Sequence, residues 1–469
     1  MSIGGSPYLD INGPNGVQRI ANPLFSYNFR PLDTRTFTSG PVSASLRCYA
    51  HLANGIQQWN TWTRTLRGPS SLGPDAQSNN SMVAINLDQN RASIAQRLYN
   101  LFSGYDNYTT FSNNAFGPQA DSIESLHDTI HGLVGGFGPG QAVSQAGHMG
   151  YIQWSAFDPV FFLHHTMVDR VLAIWQALHP TAWVTPSRAL VSSYTIRRGQ
   201  TVSANTALTP FFSSDNGSFW DSDGVRDHTK FGYTYAELLQ GPIATNNLAA
   251  AAAQVRSAKQ AVNRMYGSFS PASLFLKELR ASGFKTSSSD KRTKGVKFPR
   301  SAMASKIFVG DRYHEWSANV YVGKQALADD GVETTSVNFF LGDIPGGDSR
   351  DWAAAPNHVG TMGVFASAGG YGSNSQGNDH EMAVSGTVPL TAALMKKVGS
   401  GELASLEPGD VEGYLKANLK RVVLGRKGEV LVECVEGVRV EIASSEVAAP
   451  WSEEELPRWG EGRVSFEMC

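Results

Sequence analysis

Two short stretches constrain this 469-residue chain more than any other feature: Leu126–His131 and Asp158–Arg170. In the first, Leu126-His127-Asp128-Thr129-Ile130-His131, two histidines stand four apart. On a helix that spacing stacks both imidazoles on one face, with Cβ atoms close enough to share a metal. The second stretch reads DPVFFLHHTMVDR. It places His164 and His165 in the first turns of a helix, directly after Phe161, Phe162 and Leu163. Adjacent histidines in such a setting are costly to bury without partners. Taken singly, the first pair reads as a solvated helix face and the second as hydrogen-bonded core residues. A shared metal accounts for both. Neutral imidazoles suit copper as well as zinc. The chemistry separates the two: three imidazoles leave Cu(I) open to O₂, and two-electron reduction of O₂ needs two such ions.

The rest of the chain divides by pattern. Residues 1–40 read as loop, and a 3–4 periodicity predicts a helix over 43–62. Further helices are expected over 93–102, 122–134 (ended by Gly135-Gly136) and from Asp158-Pro159 to His179, where Val168, Val171, Leu172 and Trp175 form the buried stripe. The Ala-rich stretch 246–265 predicts another helix. Residues 286–300 (TSSSDKRTKGVKFPR) read as an exposed, cleavable linker. Beyond it, β-branched alternation predicts strands at 306–308, 318–322, 335–341 and 431–442. The fold class expected is a mainly α-helical domain followed by a β-rich, sandwich-like C-terminal domain. The boundaries are 1–240 for the helical domain, 241–300 for a helical segment and linker, 301–447 for the β-rich domain, and 448–469 for a tail.

A formal net charge of −2, from 39 Lys and Arg against 41 Asp and Glu, gives no reason to expect nucleic acid or an anionic membrane as partner. No run of about 20 apolar residues is present, so no membrane-spanning helix is expected. The three cysteines, Cys48, Cys434 and Cys469, are widely spaced, so no disulfide framework is expected. Together with an N-terminus lacking a signal-peptide pattern, this favours an intracellular, cytoplasmic location.

LHDTIHGLVGG together with DPVFFLHHTMVDRVLAIWQ resembles the CuB half of the type-3 copper proteins: tyrosinases, catechol oxidases and hemocyanins. FGYTYAEL (231–238), the segment 315–345 and PNHVGTMGVFA (356–366) resemble the later parts of fungal tyrosinases. The resemblance implies a helical-bundle copper domain and His127, His131 and His165 as CuB ligands. His164, Asp169 and Arg170 would support them, the last two by orienting the ligands. Glu124 and Asp128 would hold a water as base for an incoming phenol. Phe161 would line the pocket, and Phe365, or Tyr371, would project from the C-terminal domain over the copper as a plug. The implied activity is hydroxylation of monophenols and oxidation of o-diphenols to o-quinones with O₂, leading to melanin, in a proenzyme.

The family also carries a CuA half with a Trp-His-Arg sequence. No Trp-His-Arg occurs here, and the only histidine before His127 is His51. One copper site is therefore recognisable where the complete family enzyme has two. The chain reads as N-terminally truncated, starting downstream of CuA, and little oxidase activity is expected of it alone. Two other readings stand beside the oxidase: hemocyanin-like O₂ binding, and a non-catalytic remnant with one copper. His148, in a Gly-rich loop, is expected to be structural.

Overall fold

The computed structural model describes residues 6–29, 62–71, 75–114, 121–136, 146–152, 155–189, 192, 195–238, 248–283, 301–323, 334–347, 352, 354–365, 382–425 and 430–468. The expected helix at 43–62, His51, the 286–300 linker and Tyr371 lie outside them, apart from Trp62.

The helical part is built on α1 (Asn80–Gly104), α2 (Tyr108–Ser112), α3 (Ile123–Gly135) and α4 (Val160–Leu178). Helix α1 is 25 residues long, far more than the expected 93–102. Its buried face includes Asn86, Asn90, Gln96 and Arg97, so apolar periodicity does not mark its full length. Helix α3 matches expectation within a residue. Ser122 Oγ accepts the Ser125 N–H at 3.1 Å, and Gly136 closes the helix in the left-handed region at φ 98°. At the start of α4, Asp158 is fully buried. It accepts Arg67 through both oxygens at 2.7 Å and the Val160 N–H at 2.9 Å. That ion pair fixes where the second histidine pair begins. Val171, Ile174 and Trp175 of α4 then join Tyr99, Phe102 and Phe111 in one core, with Val168 and Leu172 packed against it. Helices α5 (Leu248–Tyr266) and α6 (Pro271–Ala281) extend this layer.

The C-terminal part is a sandwich of two four-stranded antiparallel sheets. Its strands are β3 (Arg312–Gly323), β4 (Thr334–Leu341), β5 (His358–Gly363), β6 (Met382–Pro389), β7 (Leu419–Gly425), β8 (Val430–Leu431), β9 (Val438–Ala448) and β10 (Arg458–Met468); β1 (Tyr8–Gly13) and β2 (Gly16–Ala21) form a separate hairpin. One sheet runs β10-β9-β3-β6 and the other β8-β7-β4-β5. Trp316, Val320, Phe339 and Val440 fill the space between them, closed by α8 (Thr391–Ser400) and α9 (Pro408–Asn418) through Leu394, Val398, Val411 and Leu415.

Three expectations are corrected here. Residues 306–308 end a short helix, α7 (Ala302–Ile307), because Ser301 caps it by accepting the Ala304 N–H at 3.2 Å. The segment 448–469 is not a tail: β10 pairs with β9 along the sheet edge. The strand expected over 431–442 is broken into β8 and β9 by a turn with Gly437 at φ 80°. That turn carries Cys434, which is disulfide-bonded, contrary to expectation.

The sandwich docks its two edge strands, β5 and β6, on α1 and α3. Among the hydrogen bonds that cross are Thr361 N–H to Asn90 Oδ1 at 3.2 Å, Gly363 N–H to Thr129 Oγ1 at 3.1 Å, and Ser385 N–H to the Asn114 carbonyl, just ahead of α3 in sequence, at 2.9 Å. Close approach depends on glycine. A Cβ on Gly363 would lie 2.8 Å from Thr129 Cα, and one on Gly386 would lie 2.2 Å from Ser125 Oγ.

Candidate metal centre

Helices α3 and α4 bring all four sequence-singled imidazoles together. His127 Nε2 lies 3.0 Å from His131 Nε2 and 3.4 Å from His165 Nε2. Two nitrogens bonded to one ion at about 2.0–2.1 Å and near-tetrahedral angles stand about 3–3.4 Å apart, so these spacings fit a shared metal. His164 stacks on His127 with ring centres 4.9 Å apart. Its Nε2 faces the His127 carbonyl at 3.3 Å. Among the described residues, the three imidazoles whose nitrogens all come within 4.8 Å of one another are His127, His131 and His164, so this mutual spacing brings in His164 and not the expected third ligand His165.

The far side of each ring decides which nitrogen is free. His131 Nδ1 meets the Met149 carbonyl at 2.9 Å, and His127 Nδ1 meets Asp128 Oδ1 at 3.0 Å. A proton held at each Nδ1 leaves both Nε2 lone pairs pointing at the common centre. Burial also keeps the cluster neutral. It pushes His131 down to about 3 and His164 down to about 2, with neighbouring imidazoles adding to the effect. His127 and His165 are lowered by the same cause. Uncharged imidazoles are the form that binds a metal, so the donor set fits copper.

The surrounding groups divide into those that meet the cluster and those that do not. Phe161 stacks on His165 at 4.0 Å between ring centres. Phe365, two residues beyond β5, lies parallel to His131 at 4.2 Å and 13°, and edge-on to His127 at 6.4 Å. Glu124 sits in the first turn of α3, and its Oε2 accepts the Asn114 N–H at 2.9 Å. Its carboxyl is pushed up by burial and by Asp128, against the pull of that N–H and of His127. Burial likewise pushes Asp128 up, opposed by Arg97 and the Asn114 amide.

Asp169 and Arg170, expected to orient the ligands, do not touch the imidazoles. Asp169 accepts the hydroxyls of Tyr233, at 2.8 Å, and Tyr235. Arg170 binds the Glu237 carboxylate, through Nε at 3.2 Å. Both side chains leave α4 on the face turned to the 231–238 segment and fasten that segment to the helix. His148 is walled off from the cluster. Its Nδ1 accepts the Leu66 N–H at 3.1 Å, among the rings of Phe29, Trp62 and Phe157. Two residues escaped sequence reasoning. Met149 acts through a backbone carbonyl, which leaves no mark in a sequence, and Asn114 is met only by folding.

A helical core with convergent neutral imidazoles, covered by a two-sheet domain, defines a type-3 copper protein. The sequence profile of the common central domain of tyrosinase matches residues 2–178, and that of the tyrosinase C-terminal domain matches residues 315–442. Tyrosinase of Neurospora crassa is 28% identical over 524 residues, covering 96% of this chain and 71% of that protein. Polyphenol oxidase 4 of Agaricus bisporus is 30% identical over 220 residues, 46% of this chain and 32% of that protein. The structure of recombinant mushroom tyrosinase superposes with a TM-score of 0.68, covering 98% of this chain and 72% of that one at 22% identity, a likeness of fold. The chain belongs to the tyrosinase family, copper oxidases of the tyrosinase and polyphenol oxidase kind. Among the described residues, no helix is long and apolar enough to cross a membrane.

Proposed function

We propose that this chain binds one copper ion through Nε2 of His127, His131 and His165, and that it serves phenol oxidation by O₂ as a CuB unit with little oxidase activity on its own. The complete reaction is hydroxylation of monophenols and oxidation of o-diphenols to o-quinones. The observation that supports the reading is the placing of the His131 and His165 Nε2 atoms 3.0 and 3.4 Å from that of His127, with the Nδ1 atoms of His127 and His131 occupied elsewhere. Bound copper supplies one electron per ion toward O₂ and a seat for a phenol oxygen. The chain's own groups do the rest. Phe161 backs His165, and Glu124 and Asp128 supply carboxylates at the α3 turn that carries His127. A phenol, with a pKa of about 10, needs a base at neutral pH. Phe365 occupies the face of His131 that a phenol ring would use, so the sandwich acts as a shield, and cleavage within 286–300 would free it. The one-copper reading is favoured over the complete enzyme by the histidine inventory: no Trp-His-Arg occurs, and His51 is the only histidine before His127.

Copper titration of the full chain tests this. The expected result is about one tightly bound ion, with affinity falling at least about ten-fold in His165→Ala and little in His164→Ala. The reverse order would move the third ligand to His164. Two ions per chain with rapid catechol oxidation would replace the one-copper reading by the complete enzyme.

A further inference from the structure

We propose that Asn114 is a positioning residue for the His127 ligand and that the C-terminal sandwich holds it in place. The inference rests on the copper reading of the histidine cluster. Asn114 lies two residues after α2, and it is buried. Its side-chain Nδ2–H donates to Asp128 Oδ2 at 2.9 Å. The other oxygen of the same carboxylate, Oδ1, is the one 3.0 Å from His127 Nδ1. Asp128 thus divides its two oxygens between Asn114 and the imidazole. A carboxylate torsion is broad and two-fold. Held at one oxygen only, Asp128 is free to turn away from the ring. Arg97 cannot replace Asn114, because its guanidinium bonds go to Asp121, Thr129 and Ser125.

The backbone of Asn114 is pinned from both sides. Its N–H donates to Glu124 Oε2 at 2.9 Å. Its carbonyl accepts two bonds from Ser385 on β6, the N–H at 2.9 Å and Oγ–H at 2.8 Å. One continuous path therefore runs from the sandwich through Ser385, Asn114 and Asp128 to His127. Docking the sandwich and fixing the ligand's tautomer and ring orientation are coupled through it. The domain that shields the site also shapes it.

Co(II) bound to the full-length chain reports ligand geometry without any need for activity. Removing a partner of a metal-ligating imidazole typically costs about 10- to 100-fold in metal affinity. In Asn114→Ala the backbone bonds remain and only the Asp128 contact is lost. The expected result is an affinity for Co(II) and Cu(II) at least about ten-fold weaker, with an altered Co(II) visible spectrum and an unchanged melting temperature of the metal-free chain. Ser385→Ala should shift the spectrum the same way by less. Unchanged affinity and spectrum in Asn114→Ala would overturn the role. So would an affinity loss that merely accompanies a lower metal-free melting temperature, since a structural role explains that. His127→Ala serves as reference: Co(II) binding equal to the parent's would sink the metal reading, and the positioning role with it.

Discussion

Asp128 and Glu124 flank His127 on one turn of α3, yet their surroundings give them different work. Asp128 is buried, and its two oxygens are taken by Asn114 and His127. Glu124 reaches solvent along part of its side chain while its carboxyl is largely enclosed, and it keeps a carboxyl oxygen beyond its bond to the Asn114 N–H. Its carboxyl is pushed upward by burial and by the Asp128 charge, the direction that strengthens a base. On the proposed reading, Glu124 rather than Asp128 is therefore the group that would take a phenol proton. In a two-copper form of the chain completed by a CuA half, Glu124→Gln should lower monophenol turnover about ten-fold or more. Diphenol turnover should fall less, and copper affinity should hold. Equal loss on both substrates would count against the role. Sequence spacing placed Glu124 on the right turn; the division of labour with Asp128 is visible only in the hydrogen bonds.

At the scale of elements, the contact of β5 with α3 sets both the fit of the domains and the position of Phe365. Gly363 lies against helix backbone, where an added Cβ would stand 2.8 Å from Thr129 Cα. A helix backbone cannot yield as a flexible side chain can, so the strand must move. Gly363→Ala should destabilise the docked chain by about 1–3 kcal/mol, read in urea melts. Phe365 follows two residues later, so the same variant should admit a catechol probe to the histidine face more readily than the parent. Unchanged melting and unchanged probe binding together would show that the interface is more compliant than its geometry indicates. Helices α3 and α4 were legible in the sequence because a cap, a Gly-Gly stop and apolar periodicity agreed. The first half of α1 was not, because its buried face there alternates Met82 and Val83 with the amides Asn80, Asn86 and Asn90, and Asn90 meets Thr361 from far along the chain.

Across the whole molecule, the domain junction contains a carboxyl group with an unusual affinity for protons. Glu315 of β3 is buried against α1, where its Oε1 accepts Gln96 Nε2–H and, at 3.4 Å, Asn100 Nδ2–H. Among the described residues, Glu315 Oε2 and Gln96 Oε1 have no hydrogen bond of ordinary geometry. A proton on Oε2 gives the acid a donor for an amide oxygen. Burial pushes Glu315 up to about 7, against the pull of Thr391, Asn100 and Gln96. Because the folded value lies above the ordinary 4.5, the stability this proton contributes is complete below about 4.5 and is lost as pH rises through about 7. The full difference is about 3 kcal/mol. Glu315→Gln carries its own N–H donors and needs no proton. Urea melts between about pH 5 and 8 should slope downward for the parent and run flat for the variant. Identical slopes would remove Glu315 as their source.

The sequence by itself determined the metal-binding class. Four-residue spacing on a helix and adjacent histidines after an apolar run are local facts, and helix geometry alone stacks His127 and His131 on one face, while bringing His164 and His165 to them takes the packing of α4 against α3. It also determined the two-part architecture, since helical and alternating periodicities each report on a few neighbouring residues. Only the tertiary structure decided which nitrogen of His127 and His131 is free, because Met149 and Asp128 set the tautomers through contacts that include a backbone carbonyl. It decided that Asp169 and Arg170 grip the 231–238 segment and leave the histidines alone, because the exit face of a side chain on α4 depends on how that helix is packed. It placed Phe365 over His131 and Asn114 between two domains, 271 residues from Ser385 along the chain. Contacts at such separations are fixed by the packing of sheet on helix, for which local spacing carries no signal.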